Sequence, residues 1–84
     1  MTRGERLLSR MRASKNGWTC EDLRAVYLAR DFEEDQGASH TLYIHRTHTQ
    51  LRATVTRSSG IIATGYVQTA VKLIDELERL ESKP

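Results

Sequence analysis

Disulfide chemistry is closed to this chain, which holds one cysteine, Cys20. A lone thiol forms no internal bridge, and no second cysteine stands near enough for a metal or redox pair. Cys20 therefore reads as a small buried apolar residue. No apolar run nears the roughly 18 residues of a membrane span. The early arginines are not followed by the apolar core of a signal peptide. These lacks point to a reducing, soluble, cytoplasmic setting with no membrane partner. Internal repeats and low-complexity stretches are missing too. No cluster has zinc-ligand spacing: His45 and His48 are three apart but have no cysteine or acid close by in sequence. No metal and no cofactor are expected.

The most uneven shortage is of acid. From Gln36 through Ile74 there is not one aspartate or glutamate, although the chain has 11 acids against 13 lysines and arginines. That window holds all three histidines together with Arg46, Arg52, Arg57 and Lys72. A stretch cleared of carboxylates lets a polyanion approach without repulsion. Chance is the equal alternative, since strands and turns often lack acids. Before the window, Arg3, Arg6, Arg10, Arg12 and Lys15 face only Glu5, which makes the N-terminal segment basic. An acidic stretch from Glu21 to Asp35 follows, relieved by Arg24 and Arg30.

What is present is one domain of 84 residues, residues 1–84, with a thin core for its size. Thr2 to about Ala13 reads as a short basic helix with Leu7, Leu8 and Met11 on one side, and Asn16-Gly17 breaks it. Residues 1–17 thus precede a core domain over 18–81. Thr19 is placed as an N-cap, with Asp22 three residues on in a capping-box position. The helix it starts runs to about Arg30, and Leu23, Val26 and Tyr27 share a face. The period then changes to two. Phe32–Asp35 is a short strand, Gln36-Gly37 a turn, Ser39–His45 a second strand and Leu51–Thr56 a third. Alternation sets His40, Leu42 and Ile44 on one face and Thr41, Tyr43 and His45 on the other. A last helix runs from about Gly65 to Glu81. Its apolar residues cover close to half its circumference, more than packing on one sheet needs. Either the helix is sandwiched inside its own domain or a partner chain, such as a second copy, covers the rest. Helix, helix, three strands, helix is an α+β order.

The segment Gly37-Ala38-Ser39-His40-Thr41-Leu42-Tyr43-Ile44-His45 resembles the signature of HicA-type toxins, in which a helix and strand lead to a Gly-Ser-His turn, an aromatic and a second histidine. Thr54-Val55-Thr56 is similar to that family's Thr-Val strand, Gly65–Val71 to the opening of its last helix, and Trp18–Leu23 to its helix-leading segment. The likeness spans about Asn16 to Leu80, and the order and spacing of the pieces carry it. Two positions depart from the pattern: Ala38 separates the glycine from the serine, and Arg46-Thr47-His48 stands where the family has Pro-Asp-Gly.

The resemblance implies a fold like the double-stranded-RNA-binding domain, a three-stranded antiparallel sheet packed by helices. It implies an mRNA-cleaving endoribonuclease that needs no metal and is silenced by a HicB-like antitoxin. It makes His40 the catalytic residue. Ser39, His45, Arg46, Arg52 and Arg57 are the candidate substrate-binding residues, with the arginine that meets phosphate left open among the three. The residue types suit that chemistry. RNA carries its own nucleophile, so an enzyme need only move protons and stabilise charge at phosphorus. Histidine titrates near neutral pH, and arginine presents planar donors to phosphate. The plainer readings are that a strand histidine is structural or solvated, that His45 is structural, that His48 is an exposed turn residue, that Tyr43 is core, and that the arginines are solvated charges. A noncatalytic RNA-binding module of the same fold is the alternative function, since duplex RNA can be bound by shape alone. An interaction protein built on the last helix is a third.

Overall fold

The first helix begins where a threonine can close it. In the computed structural model, which describes residues 2–82, Thr2 Oγ1 accepts from the Glu5 backbone N–H at 3.1 Å and α1 runs Arg3–Ala13. Helix α2, Cys20–Ala29, opens on the full capping box: Thr19 accepts from the Asp22 N–H at 3.3 Å and donates its own N–H to the Asp22 carboxylate at 3.0 Å. It ends with Asp31 in the left-handed region at φ 66°. Aspartate tolerates that conformation better than most side chains, and it turns the chain into β1, Phe32–Gln36. Strand β2 is His40–His45, β3 is Arg52–Thr56, and α3 is Thr64–Glu81.

The three strands form one antiparallel sheet in the order β1-β2-β3. Phe32 lies opposite His45, Glu34 opposite Tyr43, Tyr43 opposite Ala53 and His40 opposite Thr56. One sheet face therefore carries Phe32, Tyr43, His45 and Val55, all buried, while His40, Leu42 and Ile44 lie on the other. The molecule is an α+β domain with its helices over the first of these faces. α2 meets β1, α3 meets β3, and α1 rests on both helices. Tyr27 joins the layers: its ring stacks on Tyr43 at 4.5 Å and meets Phe32 at 4.9 Å. Leu23, Val26 and Tyr27 are fully buried, as their shared helix face requires.

Helix α3 buries Val67, Ala70, Ile74 and Leu77, and half-buries Tyr66, Val71, Leu73 and Leu80. Its wide apolar surface is used inside the domain, with β3 on one side and α1 on the other. Arg12 seals the α1 side through ion pairs to Asp75 and Glu78. An isolated bridge between Thr19 and Ile61, with the Ile62 N–H donating to the Trp18 carbonyl at 2.9 Å, ties the start of α2 to the approach to α3. Among the described residues, no helix is long and apolar enough to cross a membrane.

Candidate functional site

His40 is exposed at the first position of β2. The turn before it is held mainly by backbone. The Gly37 N–H donates to the His40 carbonyl at 2.8 Å, and the Arg57 N–H to the Ser39 carbonyl at 2.9 Å. Arg57 also folds its guanidinium onto the turn, with Nη1 donating to the Gly37 carbonyl at 2.6 Å. The side chain of His40 is thus open to solvent while its main chain is fixed from both sides. Ser39 Oγ and His40 Nδ1 share a hydrogen bond of 3.1 Å whose direction follows the imidazole tautomer. Nε2 is left for a solute. Gly37 suits the turn because a Cβ there would stand 3.1 Å from the His40 carbonyl oxygen.

Of the residues expected to bind substrate, Ser39 touches the His40 ring, Arg57 braces the turn before it, and the others lie elsewhere. Arg52 faces Ile44 in the register, four positions down β2, or about 13 Å at ~3.3 Å per residue. Its guanidinium donates twice to the Thr49 carbonyl, at 2.9 and 2.7 Å. Arg46 lies beyond the far end of β2 and pairs with Glu33 at 3.4 Å. His45 is a core residue, 2 % exposed, on the sheet face away from His40. Its Nδ1 accepts the backbone N–H groups of Thr47 and His48 at 3.1 and 3.0 Å, and its ring meets Phe32 edge-on at 5.1 Å. It organises the β2–β3 turn and is not available to a substrate. His48, expected to be exposed, is half-buried, with Nε2 at 3.9 Å from a Glu81 carboxylate oxygen. Cys20, expected to be buried, is half-buried, and its Sγ donates to the Thr56 carbonyl at 2.9 Å.

The N-terminal cations are largely engaged within the domain. Arg3 pairs with Asp22, Arg12 with Asp75 and Glu78, and the Arg10 guanidinium lies 5.6 Å over the Trp18 ring.

On the helix-covered side of the same sheet end lies a group that the sequence pattern did not single out. Glu34 accepts from Arg24 Nε at 2.8 Å, from the Tyr43 hydroxyl at 3.2 Å and from Gln36 Nε2 at 3.3 Å. Burial, reinforced by the Glu34 charge and hydrogen bond, pushes the Tyr43 phenol well above its ordinary value, so it stays a donor. Burial alone does the same to Tyr27. In the sequence Glu34 is one acid among four in a short run. Only the strand register turns it inward while Glu33 and Asp35 point out. Among the described residues, no three histidine, cysteine or acidic side chains group to hold a metal ion. No protein-family model, no curated protein and no solved structure matches the chain.

Proposed function

We propose that the chain is a HicA-like endoribonuclease toxin that cuts mRNA without a metal in the cytoplasm and is held inactive by a cognate HicB-like antitoxin. The observation that carries this reading is His40: a solvent-open imidazole on a turn pinned by its own backbone and by Arg57, with Ser39 on Nδ1. The order α2-β1-β2-β3-α3, with both helices on one sheet face, supports a kinship with double-stranded-RNA-binding domains, to which α1 is an addition.

The chemistry follows from RNA's own nucleophile. The ribose 2′-oxygen attacks the adjacent phosphorus, the O2′–P bond forms and the P–O5′ bond breaks. The 2′-hydroxyl gives up its proton and the departing 5′-oxygen takes one. His40 Nε2 stands where it can handle one of these transfers, and water the other. Ser39 fixes the ring, and Arg57 offers charge to the non-bridging oxygens as negative charge builds there. The products are a 2′,3′-cyclic phosphate and a 5′-hydroxyl. The antitoxin would cover the open sheet face, where His40 leads a half-buried pair, Leu42 and Ile44.

His40→Ala tests the reading. An exposed side chain contributes little to stability, so the variant should melt as the parent does and still bind RNA. Cleavage should fall roughly 10²–10⁴-fold, the span of a lost general acid or base. The assay is run with excess EDTA, and fragment ends are read by mass spectrometry. Unchanged cleavage by the variant, or 3′-hydroxyl ends from the parent, rejects the mechanism. RNA binding without cleavage by the parent would instead make the domain a noncatalytic RNA-binding module.

A further inference from the structure

Behind the strand that carries His40, on the helix-covered side, a cavity of about 380 Å³ opens between the first turns of α2 and the ends of the strands. Tyr43 and Val55 give it an apolar surface, and Glu34, Arg24 and Thr41 supply polar groups. Glu34 is inside the protein, its side chain 16 % exposed. Its Oε2 accepts from both Arg24 and Tyr43, while Oε1 has only the exposed Gln36 amide. A carboxylate offers about four lone-pair sites, so Oε1 keeps acceptor capacity. Thr41 is 8 % exposed and its hydroxyl makes no hydrogen bond among the described residues. Arg24 uses only Nε on Glu34, so its terminal nitrogens remain donors. Acceptor, hydroxyl and guanidinium therefore converge beside an aromatic and an aliphatic wall.

The place of this cavity ties it to His40. Thr41 follows His40 in β2, and Thr56, opposite His40 in the register, lines the cavity. Arg57 lines it too while holding the turn that carries His40. One strand of RNA rounding the sheet end past Arg57 would thus set a base on one side and the neighbouring phosphate on the other.

We propose that the cavity takes a single guanine base of the RNA substrate, an inference that rests on the RNA-cleaving reading above for the strand that delivers the base. Single-stranded RNA is read by splaying bases out and bonding their edges. Guanine alone has two adjacent N–H donors on its Watson–Crick edge, and both can converge on Glu34 Oε1, the carboxylate oxygen that keeps acceptor capacity, as the exposed Gln36 amide gives way. Its ring carbonyl beside them suits the free Arg24 donors. Uracil sets a single N–H between two carbonyls, which a carboxylate repels, and adenine and cytosine each place a bare acceptor nitrogen next to their amino group.

The test uses the full chain as His40→Ala, so that RNA is bound without being cut. Fluorescent uridine pentamers whose central base is G, A, C or U are titrated by anisotropy. The G oligomer should bind roughly tenfold to a hundredfold tighter than the U oligomer, the discrimination of one good two-donor contact to a base edge. Glu34→Gln should erase the preference, and Thr41→Val, which removes only an unbonded hydroxyl, should weaken it. A second readout needs no substitution. Cys20 lines the cavity, so guanosine monophosphate should slow its alkylation by iodoacetamide several-fold and uridine monophosphate should not. Equal affinity for the four oligomers, or equal alkylation with both nucleotides, overturns the proposal even if the parent cleaves RNA. A guanine preference in a chain that never cleaves keeps the base site and rejects the cleavage reading. If Glu34→Gln fails to fold, the wild-type alkylation result and Thr41→Val still decide.

Discussion

His40 and His45 end the same strand five residues apart, and neighbours alone make them opposites. His40 faces solvent with one ring nitrogen on a serine; His45 is enclosed and spends Nδ1 on two backbone N–H groups of the turn it precedes. The acceptor role falls to Nδ1, while Nε2 is buried without a hydrogen-bond partner among the described residues. That role makes a graded prediction. In His45→Asn, Oδ1 can stand near the Nδ1 position and accept the same two donors, so only ring packing on Phe32 and His48 is lost. In His45→Ala both donors lose their acceptor, at about 1–3 kcal/mol for a buried group left unpaired, on top of the cavity. Thermal melts should rank wild type above Asn and Asn above Ala. Asn as damaging as Ala would mean the ring, and not its acceptor, organises the turn. Strand alternation in the sequence already separated the two histidines onto different faces. It could not say which face was covered, since Leu42 and Ile44 beside His40 are as apolar as the residues beside His45. The helices decide, by covering the face that holds Phe32, Tyr43 and Val55.

At the scale of elements, caps and periodicity made most boundaries legible. Thr2 and Thr19 start their helices as expected, and the three strands fall within a residue or so of their patterned positions. The first turn differs: Gln36 completes β1, and the reversal is carried by Gly37 to His40. What sequence could not reveal is contact between elements distant in the chain. Gly4, inside α1, is an example. It stands in the first turn of the helix, where glycine still loses more backbone freedom on folding than alanine. Here a Cβ at Gly4 would lie 2.5 Å from the Ala29 Cβ and 2.6 Å from the Ala25 carbonyl oxygen, so α1 and α2 touch through the missing side chain. Gly4→Ala should therefore destabilise despite alanine's better helix propensity, by about 1–3 kcal/mol as overpacking does. Urea denaturation measures it. A more stable Gly4→Ala protein would show that the helices part without cost. The cavity around Glu34 is hidden from sequence for the same reason, because it needs α2 and all three strands at once.

At the scale of the whole molecule, charge separates what the sequence suggests from what the fold leaves free. The N-terminal segment is basic in sequence, yet Arg3 and Arg12 are committed to acids of α2 and α3, and Arg10 lies on Trp18. Leu8 and Met11 on the same helix are core residues, so removing α1 would unfold the domain before it reported on RNA. Point substitutions avoid that. Arg57 is exposed, makes no ion pair among the described residues, and holds the turn that leads into His40. Each phosphate contact on a single strand contributes about 0.7 to the slope of log affinity against log salt. Arg57→Gln, in the noncleaving His40→Ala background, should flatten that slope by about this amount. Arg12→Gln should leave it unchanged, since its charge is already spent on Asp75 and Glu78. The stability lost with those half-exposed pairs should stay within about 1 kcal/mol. Anisotropy titrations of one labelled RNA at several salt concentrations give both slopes. If Arg12→Gln flattens the slope as much as Arg57→Gln does, RNA lies along α1, and the surface around His40 is not where the phosphates bind.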